Sequence, residues 1–265
     1  TNLIFKVKCS MSPTLFILYL DDILRKWKEQ VYRFSNINFT EITTMLFTDD
    51  QIIIADSEDN LQRSIFELNK IIEQYNLKIN KSKTKTLAFR GRNLVRSKIV
   101  IEGETIEHVR DFNYLGSWLS HIESKDIEDK MNKMNMMCGT IKRTLKYKCR
   151  PETQLKFYKV MAVPVGLYAS ETWTLRKRDE QRIQTTEMRF LRSVRGVTRR
   201  DRIRNEVIRT DLGVSSLKAS ITKKREDWLH HVQRMGQERY PVKALAYRPQ
   251  GKRDIGRPRK RWSDQ

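Results

Sequence analysis

Cysteine is nearly missing from this chain. Cys9, Cys138 and Cys149 are the only three, an odd and sparse set that offers no disulfide framework and suits a reducing interior. A zinc site would have to join Cys138 and Cys149 to His230 and His231, and neither the wide Cys–Cys gap nor the adjacent histidines match a common zinc spacing. Long apolar runs are missing as well. None approaches 18 residues, so no segment reads as a membrane span, and no secretory signal is visible. The expected setting is intracellular, nuclear or cytoplasmic. Apolar residues make up only 38% of the 265, yet that length still permits one large domain or two small ones, each with a core.

Acidic residues are spread almost evenly, but basic residues crowd into one half. Residues 1–118 carry 17 Lys and Arg against 15 Asp and Glu, a net +2, whereas residues 119–265 carry 36 against 17, a net +19. So uneven a distribution points to a polyanionic partner, either nucleic acid or an anionic membrane surface. The membrane reading is the weaker, because the arginines fall on helices without one clean apolar face. No membrane partner is expected.

What is present is most informative at Phe47-Thr48-Asp49-Asp50. Two adjacent carboxylates stand between the apolar runs Ile42–Leu46 and Gln51–Ala55, which read as short buried strands joined by a hairpin turn. Aspartate is common in turns, but two carboxylates side by side repel and call for a cation. Magnesium prefers such oxygens and is held through one or two of them plus substrate phosphates. A second doublet, Asp21-Asp22, has helical surroundings. Ser12 and Pro13 suit an N-cap and first turn, and Leu15, Phe16, Tyr19, Leu20, Ile23, Leu24 and Trp27 recur at spacings of three and four. Asp21 and Asp22 then lie on the polar side near Arg25 and Lys26, as a solvated face.

Further along, Asp56 or Ser57 caps a helix expected over about 58–75, with Leu61, Ile65, Leu68 and Ile72 as its buried stripe. A basic turn, Lys81–Lys85, leads into short strands at 86–89, 99–101, 105–109 and 112–115, with Gly103 turning between two of them. The first 118 residues thus read as an α+β layer structure. Beyond 119 the pattern is helical: 124–145 with Ile127, Met131, Met134, Met137 and Ile141 in register, a helix opened by Pro151, then about 179–194, 201–210 and 217–235. The methionines read as adaptable core packing. Arg189, Arg192, Arg195, Arg199, Arg200, Arg202 and Arg204 crowd together, and Trp173, Trp228 and Trp262 lie among basic residues, which suits phosphate contacts plus stacking. The tail from Arg248 to Trp262 is rich in Pro, Gly and basic residues and is expected to be extended and mobile. Its Gly256-Arg257-Pro258 suits a minor-groove hook, an import signal or a linker.

In this order the segments resemble the reverse transcriptase of non-LTR, LINE-type retrotransposons, in particular RTE-like elements, and the resemblance runs over nearly the whole chain. Ser12-Pro13-Thr14-Leu15-Phe16 resembles the family's Ser-Pro-x-Leu-Phe segment, which opens the palm helix beneath template and nucleotide. Phe47-Thr48-Asp49-Asp50 resembles its Phe-Ala-Asp-Asp hairpin. Asn80-Lys81-Ser82-Lys83-Thr84 resembles the Asn-x-x-Lys-Thr segment, and Tyr114-Leu115-Gly116 the Tyr-Leu-Gly of the palm–thumb junction. Glu171-Thr172-Trp173, and Gly256-Arg257-Pro258 with Lys260-Arg261-Trp262, resemble blocks of the carboxy-terminal region.

The resemblance implies a partial polymerase palm (residues 1–118, antiparallel sheet with helices), an all-helical thumb-like region (119–200) and a basic helical and extended carboxy-terminal region (201–265). It implies RNA-directed DNA synthesis with an RNA template, a DNA primer, deoxynucleoside triphosphate and two magnesium ions in the parent enzyme. By it Asp49 and Asp50 are metal ligands and Lys83 assists the leaving pyrophosphate. Ser12, Pro13, Asn80, Tyr114 and Gly116 lie near nucleic acid, as do Arg192, Arg195, Arg199, Arg200, Arg257, Lys260 and Arg261. The chain departs from the family at Val7-Lys8, where Gln-Gly ordinarily precedes the cysteine, and at Thr48 in place of alanine. The family's first catalytic aspartate and its fingers lie upstream of the segment present here, so the expectation is a fragment that does not polymerise alone, lacking the amino-terminal polymerase segments or endonuclease domain of a parent polyprotein. The partial palm is expected to expose apolar surface around Leu15, Phe16 and Ile52–Ile54. The alternative is a non-catalytic basic nucleic-acid-binding protein derived from such an element.

Overall fold

The first helix, α1 (Ser12–Val31), buries Ile23, Leu24, Trp27 and Val31 along one side, as the three-and-four spacing of its apolar residues requires. In this computed structural model the described residues are 12–31 (side chains from Thr14), 44–89, 97–120, 125–145, 148–247, 256 and 260–264. Trp27 is fully buried, and its indole Nε1 donates to the Ser64 carbonyl at 2.7 Å, so the apolar stripe carries its one polar atom satisfied. Asp22 sits on the outer face. It pairs with Arg25 and Lys26 and accepts a hydrogen bond from the Tyr75 hydroxyl.

The helix α2 (Glu58–Gln74) starts where Ser57, in extended conformation, accepts from the Asn60 amide at 3.3 Å. This side-chain cap satisfies an amide that has no partner inside the helix. Its buried face is Ser64, Ile65, Leu68 and Ile71, with Leu61 and Ile72 half-buried beside it. Leu68 and Ile71 pack against α1, whereas Ile65 meets Ile99, Ile101 and Ile106.

Among the described residues, four separate two-stranded ladders stand where one antiparallel sheet is expected, and one of them is parallel. Strands β1 (Thr44–Phe47) and β2 (Asp50–Ile53) form an antiparallel hairpin. Strands β4 (Val100–Ile101) and β5 (Glu104–Thr105) form another around Glu102 and Gly103, both with positive φ, the geometry a two-residue turn needs to match strand twist. Strand β3 (Lys85–Thr86) pairs with β6 (Glu107–His108), and this pair is parallel. Because the β4–β5 hairpin intervenes in sequence, the chain returns to β3 in the same direction it left. Strands β7 (Asp111–Tyr114) and β8 (Ser117–Ser120) pair across Leu115-Gly116.

The chain divides into two compact units between Phe112 and Asn113, within β7. The sequence texture changes later, at about 119, but the β7–β8 turn belongs with the helices for an evident reason. Asp126 accepts the Trp118 amide at 2.8 Å, and the buried Lys130 ammonium donates to the Gly116 carbonyl. In the second unit α3 (Lys125–Leu145) buries Ile127, Met131, Met134, Cys138 and Ile141. α4 (Pro151–Phe157) runs through a π-wound turn at Tyr158–Ala162 into α5 (Val163–Gly166), and Pro164, lacking an amide hydrogen, interrupts the regular ladder there. α5 lies so close to α3 that a Cβ on Gly166 would stand 2.5 Å from the Met134 sulfur.

α6 (Lys177–Arg195) and α7 (Asn205–Leu212) each end on a glycine of positive φ, Gly196 and Gly213, the usual left-handed stop. α8 (Leu217–Gln233) is capped by Ser216, which accepts from the Ala219 amide. α9 (Tyr240–Ala246) follows, a helix the periodicity does not predict. Helices α3, α4, α6, α7 and α8 share one core. Met131, Met134 and Met188 are all buried in it, as packing residues.

Candidate functional site

Phe47 and Asp50 are paired across the β1–β2 hairpin, which leaves Thr48 and Asp49 as a two-residue turn. Asp49 is therefore at the tip, while Asp50 is the first residue of the returning strand. Thr48 alone of the turn pair has positive φ, 51°. A β-branched residue rarely adopts that region, and its hydroxyl offsets part of the cost by donating to the Phe47 carbonyl at 2.7 Å. Both carboxylates are exposed, and among the described residues no donor or cation contacts either one. The base of the hairpin is held firmly. Thr44 is buried, its hydroxyl donates to the Ile52 carbonyl at 3.0 Å, and Gln51 Nε2 donates to the Thr44 hydroxyl at 3.1 Å.

Ile53 at the foot of this hairpin packs against both small cores of the first unit, and so does Ile79. The basic turn leaves the core from Ile79. Asn80 organises it: its side-chain oxygen accepts from Ser82 Oγ at 2.8 Å and from the Lys83 amide at 3.2 Å, and its carbonyl accepts from the Thr84 amide at 2.9 Å. The three lysines then differ. Lys81 pairs with Glu102 at 2.8 Å and Glu104 at 2.9 Å, and Lys85 pairs with Glu107 at 2.5 Å. Lys83 is exposed, and among the described residues its ammonium has no partner. Of the turn's lysines it is the one available to a ligand.

In the second unit, Leu115 and Gly116 take φ of 48° and 78°, and both carbonyls of this turn are gripped. Leu115 accepts from the Tyr168 hydroxyl at 3.0 Å, and Gly116 from Lys130, whose ammonium also lies 4.7 Å from the Tyr168 ring centre. Tyr114, beside them, is half-buried and engaged in contacts of its own.

The expected nucleic-acid residues fall into two groups. Arg192 donates to Asn205 Oδ1 at 2.6 Å and to the Ile203 carbonyl at 3.3 Å, and Arg195 pairs with Asp211. Part of each guanidinium is thus committed to holding α7 on α6. Arg199 and Arg200 are exposed with no side-chain partner among the described residues, as are Arg189, Arg202 and Arg204. The Thr198 amide and hydroxyl both donate to Asp201, at 2.6 and 2.9 Å, and these bonds draw the Asp201 carboxyl below its ordinary value. Of Ser12 and Pro13 the structure describes the helical backbone only, and Arg257 lies outside the described residues.

Two expectations for the basic half are corrected. Trp173 is no stacking platform. It is buried, with Nε1 donating to Asp126 at 2.8 Å. Nor is the end of the tail free. Residues 260–264 are docked on the helical unit: Trp262 Nε1 donates to the Glu171 carbonyl at 2.7 Å, and Lys260 reaches the Leu175 carbonyl at 3.4 Å. Arg225 joins the two blocks. It donates to the Trp173 carbonyl at 3.1 Å and the Trp262 carbonyl at 2.8 Å, and lies 4.8 Å from the Trp262 ring centre. Apolar and carbonyl surroundings won over exposure, and spacing alone carries no signal of it. Arg261 retains a free side chain, with its amide bonded to Asp264. Trp228 is the partly exposed tryptophan of α8, near His231.

Residues 8–119 match the reverse transcriptase (RNA-dependent DNA polymerase) family. This stretch takes in α1, the acidic hairpin, α2, the Asn80 turn and the short ladders. A putative uncharacterized transposon-derived protein of Caenorhabditis elegans is 24% identical over 239 residues, across 86% of this chain and 85% of that protein. No solved structure matches. The first similarity is confined to residues 8–119, and the second extends over most of the chain. Reverse transcriptases of the matched family generally use divalent metal ions and deoxynucleoside triphosphates, and the family implies an RNA template and a DNA primer. Asp49 and Asp50 fit such an ion in kind, as hard oxygen donors free of any competing cation. No group of three or more His, Cys, Asp or Glu able to hold a metal occurs among the described residues, so this pair supplies two carboxylates and no more. No helix among the described residues is long and apolar enough to cross a membrane.

Proposed function

We propose that this protein is part of an RNA-directed DNA polymerase of a non-LTR retrotransposon, with Asp49 and Asp50 as its metal-binding pair and Lys83 as its pyrophosphate-side cation. The observation that carries the reading is the state of these three residues. Two adjacent carboxylates stand unpaired at a braced hairpin tip, and Lys83 stays free while Lys81 and Lys85 on either side are neutralised. In the reaction a primer 3′-hydroxyl attacks the α-phosphorus of the incoming nucleotide, and the bond to pyrophosphate breaks. Magnesium held by Asp49 and Asp50 would withdraw charge from the phosphate and attacking oxygens. Lys83 neutralises the departing pyrophosphate, and the basic second unit retains template and primer.

Two-metal transfer needs carboxylates enough to position both ions, and among the described residues no third carboxylate joins this pair. We therefore expect the 265-residue chain by itself not to extend a primer. Primer extension on an RNA template with magnesium tests this, beside manganese binding followed by water-proton relaxation with deoxynucleotide present. The expected result is no extension by the chain alone, with manganese bound by the wild type and lost in Asp49→Asn. Extension that disappears in Asp49→Asn would overturn the expected inactivity and keep the metal role.

The net +19 of residues 119–265 favours a second reading, a non-catalytic nucleic-acid-binding protein derived from such an element. It predicts salt-sensitive nucleic-acid binding indifferent to magnesium and to Asp49→Asn.

A further inference from the structure

A hollow of about 550 Å³ opens between the last turns of α3 and α6 and the loop that leads to α7. Its size lies within the range of ligand pockets, ~300–1,000 Å³. Its lining brings together Lys142, Arg189, Arg192 and Arg199, and among the described residues no carboxylate lines it. Such a concentration of one charge is costly unless solvent or an anion screens it. Some cations of this unit are answered: Arg195 by Asp211, Arg209 by Glu187, Lys218 by Glu180. Here Lys142, Arg189 and Arg199 are exposed and unpaired. The neighbouring loop carboxylate, Asp201, is spent on Thr198.

Arg192 at the hollow is fixed rather than free. One edge of its guanidinium is bound to Asn205 and the Ile203 carbonyl, and its Nε is buried without a partner. The apolar part of the lining is Met188 and Val197, and no aromatic ring takes part.

We infer that this hollow grips the phosphodiester backbone of a nucleic acid, with Lys142, Arg189 and Arg199 around a phosphate and Arg192 as its pre-positioned donor. The inference deepens the proposed role of the second unit and rests on that reading. Guanidinium forks suit phosphate oxygens, Met188 and Val197 suit a sugar face, and the lack of aromatics leaves no platform for stacking bases. Binding here is accordingly insensitive to base sequence and steep in salt. Single strands and duplexes share this chemistry, and both are probes.

The test is fluorescence-anisotropy binding of the full chain to a labelled 20-nucleotide RNA and to a 20-base-pair DNA duplex, each from 50 to 300 mM salt. Arg189→Ala/Arg199→Ala is compared with Arg178→Ala/Lys223→Ala, which removes two exposed unpaired charges away from the hollow. The first pair should weaken binding roughly tenfold and flatten the log–log salt slope by about 1.4 on RNA or about 1.8 on duplex, two phosphates' worth. The control pair should change both far less, and the probe showing the full loss is the hollow's ligand. Wild-type binding with equal effects of the two pairs on both probes would overturn the hollow while leaving the second unit a nucleic-acid holder. No wild-type binding to either probe would overturn that reading as well.

Discussion

The two units of this chain differ in how they spend their side chains. Among the described residues, the first gathers its buried apolar residues into two small clusters of six and four, and the second into one cluster of nineteen. The first is nearly neutral in charge and carries exposed apolar residues, among them Leu15, Phe47 and Ile54; Phe16, Ile52 and Ile53, expected to join them, are half-buried. The second holds almost the whole basic excess and turns buried charge to structural use, as in Glu187, which accepts from Arg209 at 2.6 Å and from the Leu217 amide at 3.0 Å. The lesson is a division of labour. A thinly packed unit displays unpaired acidic groups at a hairpin tip, and a well-packed unit displays unpaired cations on helices.

The largest test of this contrast is Arg209→Met. It strips the partner from a Glu187 that is 1% exposed, and an uncompensated buried charge costs about 3–5 kcal/mol. Hydrogen exchange should show lost protection in α6, α7 and α8 with α1 and α2 unchanged. Equal losses in both units would break the comparison by making them one cooperative body.

Acid and alkali should separate the units next. Hydrogen bonds from Tyr75, then Arg25 and Lys26, hold the Asp22 carboxyl below its ordinary 3.8, and Lys81, then Asn69, hold Glu102 below 4.5. A depressed carboxyl favours the fold above its unfolded value, and that contribution fades as pH falls. Burial pushes the Cys138 thiol from 9.0 up to about 12 and raises Tyr158 likewise. Those neutral forms favour the fold below about pH 9, and the advantage fades as pH rises toward 12. Exchange protection should therefore weaken first in α1 and α2 near pH 3, and first in α3 and α4 near pH 11. The opposite order would count against the assignment of these groups.

The smallest effect sharpens the picture of the hairpin. Thr48→Gly relieves a β-branched residue at φ 51°, worth ~1–2 kcal/mol, but loses the hydroxyl bond and adds unfolded-state entropy. A net gain of about 0.5–1 kcal/mol is expected, seen as slower exchange across β1 and β2. A loss of stability would show that the Thr48 hydroxyl outweighs the strained backbone.

Much of this organisation was legible beforehand. The Ser57 cap, the faces of α2 and α3 and the acidic hairpin follow from residue types at short spacing, because caps, helical periods and tight turns are local interactions. Illegible were the parallel pairing of β3 with β6, the docking of Trp262 and the burial of Trp173. Each depends on what another segment offers, and no period in the chain records that offer.

The same distinction divides the candidate sites. Sequence by itself determined where the charged groups lie along the chain: Asp49 and Asp50 in a turn, Lys83 among lysines, arginines crowded over 189–204. Only the tertiary structure decided which of them are free. Lys81 and Lys85 lost their availability to Glu102, Glu104 and Glu107 on the β4–β5 and β6 segments, and Arg195 lost part of its own to Asp211 on α7. Lys83, Arg189 and Arg199 kept theirs because, among the described residues, no partner was brought within reach. An ion pair is made by distance in space, and only folding sets that distance.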